Sequence, residues 1–114
     1  MEYLKTKRVI SVPVFRYDKN VYFRVRDIAN LLEVKQVYQF TSDIKEVLGY
    51  HAILKYENTK NFRTKHDLPS TPFVKAEDLL LFLENPKHLK HRINLKRKSK
   101  IKKEIADLLL EKDG

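Results

Sequence analysis

The hydrophobic positions along the chain change period several times, and each change marks an element. Residues 9–16, Val-Ile-Ser-Val-Pro-Val-Phe-Arg, are rich in β-branched and aromatic side chains, and Val21-Tyr22-Phe23-Arg24-Val25 resumes that composition. Tyr17-Asp18-Lys19-Asn20 between them is a turn signal, so the segment predicts a β-hairpin. Pro13 has no N–H to give to a ladder and predicts an edge position for the first strand. Residues 1–8 are polar and predict a frayed start. The spacing then turns helical. Asp27 is expected to cap a short helix with an apolar face of Ile28, Leu31 and Leu32. Thr41-Ser42-Asp43 is a second cluster of cap residues. Ile44, Val47 and Leu48 form another apolar face, which Gly49 closes as a C′ residue. Two or three short helices are expected over 27–48.

Ala52-Ile53-Leu54-Lys55-Tyr56 has strand composition. Residues 57–70 are polar and rich in turn formers, predicting a loop or a hairpin tip, with Phe73-Val74 as the return strand. Residues 76–83 predict a helix that Asn85-Pro86 stops, because a residue before Pro avoids the α region. From Lys87 to about Leu110 the chain is basic and helix-compatible. Leu89, Ile93, Ile101, Ile105 and Leu109 fall on an i, i+4 ladder with Arg97 at the missing rung. That pattern fits one helix with a polar break or two helices, with Ser99 as a cap. The expected class is α+β: an N-terminal hairpin and several short helices packed on a small antiparallel sheet, followed by a basic C-terminal helix. The expected organisation is a compact unit over 1–86 and a basic helical extension over 87–114.

Charge sharpens this picture. The 114 residues carry a formal net charge of +9. Residues 87–103 hold nine bases, Lys87, Lys90, Arg92, Lys96, Arg97, Lys98, Lys100, Lys102 and Lys103, and no acid; the other 97 residues hold 15 bases and 15 acids. The whole excess therefore lies in 17 residues, as expected of a polyanion binder, although a solvated basic face gives the same count. The absence of Cys excludes a disulfide scaffold, a Cys-based zinc finger, an iron–sulfur site and a thiol nucleophile. No run approaches the roughly 18 apolar residues of a membrane span, and the charged N-terminus is unlike a signal peptide. No membrane contact and a cytoplasmic location are expected.

The segment from Val25 to Phe40 has the pattern of a helix-turn-helix: a short helix, a turn, then a polar helix with an apolar underside. Lys35, Gln36 and Gln39 would face outward, Gln suited to adenine and Lys to guanine or phosphate. An ordinary helical hairpin in a core has the same pattern. Together with the box Tyr22-Phe23-Arg24-Val25-Arg26-Asp27-Ile28-Ala29 and the later Pro72-Phe73-Val74-Lys75-Ala76-Glu77-Asp78-Leu79-Leu80, the chain resembles the amino-terminal DNA-binding domain of BRO proteins and phage antirepressors (Bro-N) over about residues 9–84. Tyr22 stands where that family usually has Trp, and Glu33 where it has Gly. The resemblance implies duplex DNA binding in a phage or large DNA virus setting, within a bacterial host or, for a eukaryotic virus, the nucleus. Arg24 and Arg26 join the expected DNA contacts with Lys35, Gln36, Gln39 and the nine bases of 87–103.

Other chemistry finds little footing. His88 and His91 are at i, i+3, but Lys87, Lys90 and Arg92 would repel a cation, so extra polyanion contact is expected rather than a metal site. His66-Asp67 is a candidate base and orienter in a loop. Glu77-Asp78 is explained by a helix start. Glycine-rich phosphate loops and a Gly-x-Ser-x-Gly elbow are absent, so neither an enzyme nor a cofactor is expected. Tyr17 and Phe62 are the aromatics expected to be exposed. Two other readings stand beside DNA binding. One is a protein-docking module, with Ile101, Ile105, Leu108 and Leu109 as a stripe for a partner or second copy. The other is RNA binding.

Overall fold

Asp18 and Lys19 both adopt left-handed backbone, with φ of 50° and 66°. Positive φ at both central residues is what a type I′ turn requires, and its twist matches that of the flanking strands. Tyr17 and Asn20 therefore sit opposite each other, and the Asn20 side-chain amide donates to the Asp18 carbonyl at 3.2 Å. The expected hairpin forms here without the Asn-Gly pair that favours it most.

A computed structural model describes residues 2–5, 11–85 and 95–111. In chain order the elements are β1 (Glu2–Lys5), β2 (Ser11–Tyr17), β3 (Asn20–Arg24), α1 (Val25–Leu31), α2 (Val37–Leu48), a 3-10 turn (Tyr50–Ala52), α3 (Tyr56–Thr59), β4 (Phe73–Lys75), α4 (Ala76–Glu84) and α5 (Leu95–Glu111). The molecule is α+β. Strands β2, β3 and β4 form an antiparallel sheet, and β1 extends it by pairing with β2, giving the order β1-β2-β3-β4.

Three expectations are corrected. Residues 2–5 of the expected frayed start are not frayed, because Glu2–Lys5 pair with Ser11–Val14. This pairing removes β2 from the sheet edge. Pro13 is tolerated because its half of β2 pairs with β1 alone: the β2–β3 ladder ends at Phe15–Tyr22, short of Pro13. Residues 52–56 do not form a strand. Leu54 exchanges two hydrogen bonds with Phe73, of 2.8 and 3.2 Å, and the pairing stops there because the chain is already turned on both sides, in a 3-10 turn over Tyr50–Ala52 and in α3 from Tyr56.

Both faces of the sheet are covered. Val12, Val14, Val21, Phe23 and Val74 join the apolar faces of α1, α2 and α4 in one core. Phe15, Tyr22 and Phe73 point the other way and pack with Leu54 and Phe62. Phe62 stacks on Tyr22 at 4.4 Å between ring centroids and meets Phe73 edge-on at 5.6 Å. It is thus an anchor of the 57–72 loop rather than an exposed ring, while Tyr17 stays 44% exposed beside it. Helix α2 ends at Gly49, with φ of 101°, as its sequence predicts.

Candidate nucleic-acid interface

Helix α1 begins two residues before the expected cap. Arg24 is its N-cap and makes no side-chain cap bond, while Asp27 lies in the first turn, where its charge suits the helix dipole. The helix ends in a paired closure: the Glu33 N–H donates to the Asn30 carbonyl at 3.1 Å and the Val34 N–H to the Ala29 carbonyl at 2.9 Å. This is a Schellman motif, which needs a left-handed C′ residue. Glu33 is that residue, with φ of 61°. Glycine adopts this conformation freely, and a side chain resists it.

Arg97 of α5 meets this strained turn. One Nη donates to the Leu31 carbonyl at 3.1 Å and the other pairs with Glu33 Oε1 at 3.3 Å. The guanidinium thereby satisfies a carbonyl at the negative end of α1 and holds the Glu33 carboxylate. The missing rung of the apolar ladder is a polar latch on the inward face of α5. One turn on, Ile101 and Ile105 are 1% and 0% exposed and belong to the main core, with Leu108 and Leu109 packed against it. The expectation that Ile101 and Ile105 dock a partner is therefore corrected: the hydrophobic effect has already buried them inside their own chain.

The outward side of α5 is basic. Lys96, Lys100 and Lys103 recur at i, i+4 and i+7 on one stripe; Lys96 and Lys103 are exposed and Lys100 is half-buried. Lys98 and Lys102 are half-buried on the flank. Because Arg97 touches Leu31 and Glu33, this stripe begins beside the α1–α2 turn, where Lys35 and Gln36 are both exposed. Gln39 is half-buried and donates to Asp43 Oδ1 at 3.3 Å. Lys87, Lys90, Arg92, His88 and His91 lie outside the described residues.

Arg24 is not turned to a groove. Its Nε and Nη2 donate to the two oxygens of Asp67 at 2.6 and 3.1 Å, and its Nη1 pairs with Asp27 at 3.4 Å. The Asp67 side chain has no exposure, and its Oδ2 also accepts from the Thr64 N–H and hydroxyl, both at 3.0 Å. Burial pushes this carboxyl up, but the bonds from Arg24 and Thr64 outweigh burial and hold it below the usual carboxylate range. With its oxygens so engaged, Asp67 does not orient His66. Arg26 is half-exposed at the edge of this cluster, 3.8 Å from Asp67.

No sequence signal marks the role of Arg63. Its Nη2 donates to the Thr71 carbonyl at 3.1 Å and its Nε to the Thr59 hydroxyl at 2.8 Å, and its guanidinium lies over Phe73 and Tyr56. One Arg in a polar loop carries no period that would single it out. Arg24–Asp67 and Arg63 together pin the 57–72 loop, and between that loop and α2 runs an open groove of ≈ 640 Å³.

Among the described residues no cluster of three His, Asp or Glu is placed to hold a metal ion. No helix among them is long and apolar enough to cross a membrane. These features define a small α+β protein with a basic helix latched to the turn between two short helices. Compared with family models, curated proteins and solved structures, the chain matches none.

Proposed function

We propose that this is a small phage- or virus-type DNA-binding protein, a transcriptional regulator or antirepressor, that holds duplex DNA with α5 and addresses base edges from the α1–α2 turn. The observation that carries the reading is the Lys96, Lys100 and Lys103 row on a helix latched by Arg97 beside exposed Lys35 and Gln36. Lysines at that spacing neutralise phosphates without reading sequence, whereas Gln36 can bond a base edge. The regulatory setting rests on the Bro-N resemblance. Burial of Ile101 and Ile105 favours this reading over docking of a partner on that stripe.

Fluorescence anisotropy of labelled duplexes across a salt series tests it. Each phosphate contact contributes roughly 0.9 to the log–log salt slope, so changing Lys96, Lys100 and Lys103 together to Ala should flatten the slope by about 2 to 3 and weaken every duplex alike. Gln36→Ala should instead change which sequence is preferred. Affinity that is indifferent to salt, or no binding to any duplex, overturns the proposal.

A further inference from the structure

The groove between α2 and the pinned loop lies on the flank of α2 away from Gln39, so the duplex-binding residues do not line it. Its walls carry Tyr38 from α2 and Tyr56 from the start of α3, with Pro69 and Pro72 from the loop. Tyr38 is 86% exposed, so its ring is open to a ligand. Such a cavity falls in the range of small-ligand sites, roughly 300–1,000 Å³. Its charged lining is Lys45 and Lys55 against Glu57, net positive beside the two tyrosines. Lys45 is further steadied over the Tyr50 ring, at 5.8 Å to the centroid, and Tyr50 is itself 82% exposed.

Flat apolar faces joined by anionic links are the chemistry that this lining fits. We propose that the groove is a second site, for single-stranded nucleic acid, with unpaired bases stacking on Tyr38 and Tyr56 and the strand's phosphates meeting Lys45 and Lys55. Aromatic rings serve this purpose because every base has a π-face, and lysines beside them track the backbone. A proline-rich peptide also packs on tyrosines, but it brings no negative charge to the two lysines.

The chain has no Trp and six Tyr, so tyrosine fluorescence reads stacking directly. Titrating the full chain with oligo-dT should quench that emission. Tyr38→Ala should weaken oligo-dT by about 5- to 150-fold, the range for one base stacked on an aromatic side chain. Tyr38→Phe should keep the wild-type affinity, since a phenyl ring stacks and no hydroxyl bond is invoked. Because Tyr38 is so exposed, neither variant should change the melting temperature, and duplex affinity, measured in parallel, should stay at the wild-type value in both. Oligo-dT bound equally well by Tyr38→Ala puts the strand on the α5 lysines and overturns the proposal. So does a decaproline peptide that shifts the Tyr38 ring resonances in NMR spectra when oligo-dT does not.

Discussion

Asp67 keeps a negative charge with no side-chain exposure because four hydrogen bonds converge on it, two from Arg24 and two from Thr64. Asp67→Asn would leave the Arg24 guanidinium largely buried with the longer contacts to Asp27 and the Thr64 hydroxyl, both 3.4 Å, in place of its charged partner, and removing one partner of a buried pair costs about 3–5 kcal/mol. Urea denaturation should register that loss as a lower midpoint. The sign of the pH effect follows from the depressed carboxyl. The stabilisation is fully present above the ordinary Asp value near 3.9 and disappears as pH falls through the lower folded value. Glu104 works in the opposite sense. Burial pushes its carboxyl up, and its Oε2 finds no hydrogen-bond partner among the described residues, so its penalty is present at neutral pH and lifts as pH falls through that raised value. Mild acid should therefore leave the wild type as stable as, or slightly more stable than, neutral pH, and loss should come only at stronger acid. Melting temperature against pH checks this, and in Asp67→Asn the steep acid limb should be reduced. Neither role was legible in the sequence. Arg24 and Asp67 lie 43 positions apart with no period linking them, and each has a composition that reads equally well as surface.

At the scale of elements, Arg97 shows what a hydrophobic pattern conveys and what it conceals. The ladder Ile101, Ile105 and Leu109 located the inward face of α5, and it put Arg97 on that face. A position count cannot say whether such an arginine points at DNA or at its own protein. The answer depended on Glu33, whose left-handed backbone at the end of α1 could be known only from the fold. Arg97→Ala removes two bonds to that turn and should lower stability by about 1–3 kcal/mol. Arg97→Lys keeps the charge but loses the fork that spans a carbonyl and a carboxylate, and should fall between. Lys96→Ala, on the exposed side of the same helix, should stay within about 0.5 kcal/mol of wild type. Guanidinium denaturation of the three variants separates a latch from a surface charge. The hairpin, α4 and the end of α2 were legible because each rests on local chemistry: turn residues, a 3.6-residue period, a glycine at C′. The supposed strand over 52–56 was not, because strand composition does not reveal that a 3-10 turn ends at Ala52 and α3 begins at Tyr56, leaving one bridge between them.

For the whole molecule, the radius of gyration is 13.2 Å, close to the roughly 13 Å of a compact domain of about 100 residues. Helix α5 is inside that envelope, because it supplies Ile101 and Ile105 to the core shared by α1, α2 and α4. A chain ending at Asn85 would expose the apolar surface that these side chains cover. Truncation of one buried Ile to Ala alone costs about 2–5 kcal/mol, a large part of a typical domain's stability. The shortened chain should therefore lose its near-UV dichroism and its dispersed amide spectrum rather than behave as an intact domain without a tail. The concentration of charge in 87–103 was plain in the sequence, and so was the apolar ladder of α5, but not whether that ladder covers its own chain or a partner. That burial has a mechanical result. A basic tail must be drawn into shape by its ligand, and the ordering entropy is subtracted from its affinity. Here packing on the opposite face sets the helix in advance, and Lys96 and Lys103 stand about 10 Å apart along its axis before any contact is made. The row is a preorganised ruler of positive charge, so a polyanion laid along it would be selected by spacing as well as by sign.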